Sequence, residues 1–240
     1  MLDGGPLRGT CTLITGPSGT GKSTLSVQYV HAAAMRGEHC ASWQFDERIG
    51  TQLERVAKLG LDLVPQINAG RVALSQVDPT ELSPGAFIQM LREDVEANDT
   101  RIVVIDSLNG YLTSMPQEKR LILQLHELLS YLNQRGVLTL LISPEAGFVR
   151  RAERAMSISY VADAVILLRF FEVAGRVCKA VSVVKNRGGG HEDTIRELSI
   201  SDRGLRIGDV LTAFSGVLTG EPVFVGDDGQ LIRDREEWDD

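Results

Sequence analysis

The stretch Gly16-Pro17-Ser18-Gly19-Thr20-Gly21-Lys22-Ser23 fits the pattern G-x-x-x-x-G-K-[ST], and it restricts what this chain can become more than any other feature. It follows a short β-rich run, Cys11 to Thr15, and precedes a stretch with helical spacing from Ser23 to about Met35, in which Leu25, Val27, Tyr29, Val30 and Ala33 mark a largely buried helix. That strand, loop and helix order sets the motif apart from a glycine-rich turn with an incidental lysine. Glycines let the backbone curl around phosphate oxygens with its N–H groups turned inward, and the helix that follows adds its positive end. Lys22 is the residue expected to reach the β and γ phosphates of a nucleotide, and the Ser23 hydroxyl to ligate Mg²⁺. Thr24 completes the nucleotide-binding set.

The rest of the chain reads as an alternation of strands and helices, the pattern of an α/β domain. Cys40 to Phe45 reads as a strand, Gln52 to Leu59 as a short amphipathic helix closed by Gly60, and Arg71 to Gln76 as a strand. Pro84 to Ala97 is predicted helical, with Ser83 as N-cap and Pro84 in the first turn. Ile102-Val103-Val104-Ile105 is the clearest strand, because unbroken apolar character implies burial on both faces of a parallel sheet. Leu121 to Asn133 reads as a helix and Val137 to Ile142 as another buried strand. Between Ser143 and Tyr160 the pattern weakens to an exposed loop with a short helix. Ala164 to Phe170, Arg176 to Lys185 and Thr194 to Ile200 then follow as strands, the first two joined by a tight turn at Ala174-Gly175, so the sheet is expected to become antiparallel on its C-terminal side. The expectation is one domain over 1–232 and a poorly ordered tail over 233–240, acidic from Asp234 onward.

Two groups of acids join the phosphate loop. Asp106 ends the apolar strand, so its carboxylate emerges at the carboxyl edge of the sheet, where it can hold the metal or a metal-bound water. Asp46-Glu47 follows the second strand. Adjacent acids there can be no more than a turn and an N-cap, but in a nucleotide hydrolase the same place suits a carboxylate that orients and partly deprotonates an attacking water. Glu47 is the preferred base and a further metal-facing group, with Asp46 shaping the water and metal environment.

Composition narrows the classes. Charged residues are 24% of the chain and hydrophobic residues 43%, which fits a globular domain and excludes a disordered, collagen-like or coiled-coil chain. With 25 basic and 32 acidic residues the net charge is −7, a sign that argues against non-specific wrapping of duplex nucleic acid. The three scattered cysteines, at 11, 40 and 178, suit reduced thiols and not a disulfide framework or a zinc site. No apolar run approaches the roughly 20 residues that a membrane span needs, and a soluble, cytoplasmic protein is expected.

Taken together, Gly16 to Ser23, Asp46-Glu47, Asp106-Ser107, Lys185-Asn186-Arg187 with His191, Arg196-Glu197, and the closing Phe214-Ser215-Gly216-Val217-Leu218-Thr219-Gly220 resemble the KaiC family of RecA-like ATPases, over about residues 2 to 220. The resemblance implies a RecA-like P-loop fold with a mainly parallel twisted sheet, flanked by helices and finished by antiparallel strands near the C-terminus. It implies ATP and Mg²⁺ as ligands and a homohexameric ring with ATP bound between neighbours. By matching position, Lys185 and Arg187 would be delivered in trans to the phosphates held by the adjacent subunit, with His191 near the ribose or phosphates. By itself the Lys185 to His191 stretch also reads as a flexible glycine-rich loop with solvated charges.

The chain departs from the family pattern in two places. Only Leu2-Asp3-Gly4-Gly5 stands where the family has a longer opening segment, so the start is expected to be truncated or to belong to an isolated domain of a longer protein. The stretch Ser157-Ile158-Ser159-Tyr160-Val161-Ala162-Asp163 puts Ser159 on the serine and Tyr160 on the threonine of the family's phosphoacceptor pair. Ser159 is therefore a candidate phosphosite, whereas the two-site cycle does not carry over whole.

Three functional classes follow. The leading one is a KaiC-like ATPase, and candidate Ser/Thr autokinase, that signals to a protein partner through its assembly. The second is a recombinase-like motor on single-stranded DNA, suggested by Arg150, Arg151 and Arg154, although Phe148 is the one nearby stacking residue and phosphate relays or interfacial ion pairs explain these arginines equally well. The third is a nucleotide-gated interaction module without turnover, against which the intact loop and both carboxylate positions argue.

Overall fold

A computed structural model describes residues 1–78, 81–113, 118–143 and 160–226. Its centre is a nine-stranded sheet in the order β3-β2-β4-β5-β1-β6-β7-β8-β9. The strands β1 (Cys11–Thr15), β2 (Cys40–Gln44), β3 (Val72–Gln76), β4 (Ile102–Asp106), β5 (Leu138–Ser143) and β6 (Ala164–Val173) run parallel to one another. Beyond β6, the strands β7 (Arg176–Asn186), β8 (Arg196–Ser201) and β9 (Gly204–Val210) are antiparallel. This is the RecA-like α/β arrangement expected from the sequence. A two-stranded piece, β10 (Phe214–Ser215) with β11 (Val223–Phe224), stands apart from the main sheet.

Alternate residues of β4 serve different layers, which is why its apolar run is unbroken. Val103 and Ile105 of β4 enter one core with Trp43, Phe87, Leu125 and Leu128, beneath α4 (Pro84–Asn98), α5 (Leu108–Thr113) and α6 (Glu118–Gln134). Ile102 and Val104 enter the other with Val27, Val30, Ala33 and Val56, beneath α1 (Lys22–Met35), α2 (Ile49–Ala57) and α3 (Val64–Asn68). Ser83 caps α4 as predicted, its hydroxyl accepting from the Ala86 N–H at 3.2 Å.

Several elements differ from the sequence reading. The second helix starts at Ile49, three residues before the predicted Gln52, because Arg48 is still extended while Ile49 begins the helical turn. The helices α3 and α5 and the strands β9 to β11 are additional; α3 and α5 are too short to display a period. At the hairpin between β6 and β7, Ala174 (φ 49°) and Gly175 (φ 74°) both take left-handed conformations, which matches the turn to the twist of the two strands. Gln28 of α1 joins that side of the sheet to the helix layer: its amide donates to the Leu205 carbonyl at 3.1 Å and accepts from the Leu205 N–H at 2.7 Å. The Ser143 to Tyr160 segment, apart from its two ends, lies outside the described residues, as do Ser159, the arginines at 150, 151 and 154, and the acidic tail.

Candidate functional site: a phosphate loop ringed by carboxylates

Two glycines in the loop after β1 are fixed by close approach and a third by its backbone conformation. A Cβ on Gly16 would stand 2.3 Å from the Leu168 carbonyl oxygen of β6, and one on Gly21 would meet Ile200 Cδ1 at 2.8 Å. Gly19 sits at φ 84° above the Phe170 ring. Gly21 occupies the N-cap position of α1 in a left-handed conformation, so no side chain caps that helix. The first-turn amides are consequently left to a ligand, the usual design of an anion site.

Inside the loop, Thr20 and Lys22 both turn back on Pro17. The Thr20 hydroxyl donates to the Pro17 carbonyl at 2.8 Å and the Lys22 ammonium donates to the same oxygen at 2.7 Å. Lys22 is buried, and that burial pulls its pKa below the ordinary lysine value, with the charge of Asp106 opposing the shift. Asp106 is pushed the other way. Burial first, and then the neighbouring carboxylates of Asp46 and Glu47, raise its pKa, while a hydrogen bond from Ser23 and the charge of Lys22 lower it.

Register puts these groups together. Gln44, the last residue of β2, pairs with Asp106, the last of β4, and the Phe45 N–H donates to the Asp106 carbonyl at 2.7 Å. Asp46 and Glu47 therefore leave the sheet beside Asp106. Asp46 accepts a hydrogen bond from the Ser107 hydroxyl, which in turn accepts from the Gly110 N–H at 3.3 Å, so it is tied to the start of α5. Glu47 is held by a residue that the sequence reading did not single out. Arg55 of α2 donates through Nε to Oε1 at 3.2 Å and through Nη2 to Oε2 at 2.7 Å, and its Nη1 donates to Thr24 Oγ1 at 3.0 Å. A pair eight residues apart, bridging a loop and a helix, follows no local spacing rule.

The donor set suits Mg²⁺. Among the described residues there is no group of three or more His, Cys, Asp or Glu placed to hold a metal by themselves. Mg²⁺ seldom uses such a cage, and is bound by one or two protein oxygens together with phosphate and water. Ser23 Oγ and the Asp106 carboxylate, hydrogen-bonded to each other beneath two further carboxylates, provide that kind of site.

Lys185, Arg187 and His191 are not brought to this cluster. The Arg187 N–H donates to the Asp163 carbonyl at 2.8 Å, and the Asp163 N–H donates to the carbonyl of Cys11, the first residue of β1. Arg187 is therefore level with the start of β1, five strand steps or about 16 Å from Gly16 measured along the strand direction. Lys185 donates to the Ala162 carbonyl at 2.5 Å on the same edge, and burial with the nearby Arg187 charge lowers its pKa. His191 is exposed and makes a backbone bridge with Leu2.

A family model described as "ATPase: KaiC" matches residues 1–211. Among curated proteins, the chain is 25% identical over 227 residues to the circadian clock protein KaiC3 of Synechocystis sp., a match covering 93% of this chain and 44% of the relative. It is 25% identical over 230 residues to the circadian clock oscillator protein KaiC of Parathermosynechococcus lividus, covering 95% and 42%, and 24% identical over 238 residues to that of Synechococcus elongatus, covering 97% and 45%. The chain thus spans less than half the length of these relatives. With the phosphate loop, the strand-ending Asp106 and the acidic pair meeting at one edge of a RecA-like sheet, and the family model matching most of its length, the chain belongs to the KaiC ATPase family.

Proposed function

We propose that this chain binds ATP with Mg²⁺ and hydrolyses it slowly at the interfaces of a ring of identical subunits. The observation that carries the reading is the convergence of Lys22, Ser23, Asp106, Asp46 and Glu47 on the mouth of one phosphate loop. The loop amides and Lys22 hold the phosphates, Lys22 exchanging the Pro17 carbonyl for phosphate oxygens. Ser23 and Asp106 hold the metal, which supplies charge neutralisation on the phosphates when bound. Glu47 orients the attacking water and accepts its proton, while Asp46, fixed by Ser107, shapes the water site from the other side.

The separation of two edges supports the ring. The phosphate loop opens at the carboxyl edge of the sheet, and Lys185, Arg187 and His191 stand at the amino edge. Joining one edge to the other between copies is a head-to-tail contact, which closes into a ring when the rotation allows. In such a ring the basic loop of one subunit completes the phosphate site of the next and offsets charge that develops during transfer. Six subunits, autophosphorylation at Ser159, and signalling to a protein partner through assembly extend the same reading from the family resemblance.

The experiment incubates the protein with γ-³²P-labelled ATP and Mg²⁺, following released phosphate and protein-bound label together, with Lys22→Ala as control. Phosphate release that disappears in the control supports the ATPase reading, and label retained on the protein assigns the autokinase with Ser159 the first site to map. Absence of both activities in the native protein would overturn it in favour of a nucleotide-gated interaction module.

A further inference from the structure

We propose that Arg55 is a positioning residue for ATP hydrolysis: it holds the Glu47 carboxylate at the mouth of the phosphate loop and ties it to the first turn of α1 through Thr24. The inference rests on the reading of Glu47 as the group that orients water. Glu47 lies in the non-helical link between β2 and α2, where Arg48 is extended at φ −69° and ψ 136°, so no helical turn sets its rotamer. The two parallel N–H bonds from Arg55 do so instead.

A carboxylate has about four lone-pair sites, and the guanidinium occupies two, one on each oxygen; the other two remain open to a water. The third bond, from Nη1 to Thr24 Oγ1, anchors the guanidinium itself. Thr24 is buried and stands two residues after Lys22, so the rigid element that carries the phosphate amides also sets the position of Glu47. Arg55 does sit in the last turn of α2, where a cation favours the helix dipole, but that role needs neither Glu47 nor Thr24. Lysine, a point charge without a planar fork, cannot make this set of three bonds.

The test compares the native protein, Arg55→Ala, Glu47→Gln and the double variant, with phosphate release for kcat and KM and a fluorescent ATP analogue for binding. Arg55→Gln provides a second variant, which keeps a donor for Thr24 and cannot grip both oxygens of Glu47. Loss of a carboxylate's alignment costs on the order of 10-fold to 100-fold in rate. The expected result is a kcat reduced by that factor in both Arg55 variants, with KM and analogue affinity changed little. In the Glu47→Gln background, removing Arg55 is expected to cost nothing further. Dilute guanidinium ion is expected to restore part of the turnover of Arg55→Ala and none of the double variant's. Native kcat in both Arg55 variants, a raised KM at unchanged kcat, or the same fractional loss with and without Glu47 would each overturn the role of Arg55 while leaving Glu47 in place. Full turnover in Glu47→Gln would overturn the Glu47 reading, and this proposal with it.

Discussion

Two inactive variants should restore each other if the site is shared between subunits. Lys22→Ala removes the phosphate lysine at the carboxyl edge, and Arg187→Ala removes a cation at the amino edge, about 16 Å away along the sheet. In a head-to-tail ring each site combines the loop of one subunit with the basic segment of the next. When the two variants are co-expressed in equal amounts and mix at random, about half of the loops are intact, and about half of those face an intact Arg187. About a quarter of the sites then regain both parts, so the mixed ring should show roughly a quarter of native turnover although each parent shows almost none. The assay is phosphate release from co-purified mixed rings, with the variants separately tagged and both tags required for recovery. A double variant carrying both changes in one chain, mixed with the native protein, gives the same fraction of intact sites and serves as the calibration. Mixed rings whose turnover is no higher than the mean of the two parents would refute the reasoning, since the Arg187 of a subunit would then be serving that subunit's own site or none.

Further outcomes follow from single features. Because burial lowers the pKa of Lys22, ATP affinity should fall as pH rises through a value below the ordinary lysine pKa of about 10.4; an Arg at position 22 stays charged, so titration of a fluorescent ATP analogue should give a flat profile for Lys22→Arg over the same range. The same depression means that the unfolded chain binds the proton more tightly, so the nucleotide-free fold gains stability from Lys22 as pH rises through that window, and Lys22→Met should remove this slope from a denaturant titration. Gln52 is buried with neither side-chain polar atom hydrogen-bonded among the described residues, so Gln52→Met should stabilise the nucleotide-free fold by about 1 kcal/mol in urea unfolding, and a comparable loss would show that the amide has a partner. Ala174 carries a Cβ at φ 49°, and Ala174→Gly should add about 0.5 to 1 kcal/mol by the same measure.

The sequence disclosed the elements whose signal is local. β4 announces itself through Ile102 to Ile105, because burial on both faces favours apolar residues, and the phosphate loop through Gly16, where a Cβ would strike the Leu168 carbonyl, and Gly21, which takes a left-handed conformation. Asp46, Glu47 and Asp106 were legible as strand-ending acids, and only the register between β2 and β4 makes them neighbours. Arg55 was hidden because its partners, Thr24 and Glu47, lie 31 and 8 residues away on other elements. β9 was hidden for a related reason: a short edge strand with Arg206, Ile207 and Asp209 turned outward has no clean alternation, and it is held by the amide of Gln28 from across the fold.

The charges at the two edges fit the same assembly. Asp46, Glu47 and Asp106 crowd the carboxyl edge; burial raises the pKa of Asp106, and the charges of Asp46 and Glu47 add to that rise. Lys22 answers one of these charges and Arg55 another, and both are held within the subunit, Lys22 by Pro17 and Arg55 by Glu47 and Thr24. In the proposed ring, bound ATP would add negative charge to this edge and increase the attraction for a neighbour's Lys185 and Arg187, whose own repulsion contributes to the lowered pKa of Lys185. Assembly and nucleotide binding would then favour each other, and by linkage the affinity for ATP should rise with subunit concentration by the same factor as ATP tightens the ring. Screening weakens both together. If raising salt loosened the ring while the ATP affinity of the assembled fraction and of the free subunits remained equal, the basic loop would have no part in holding nucleotide.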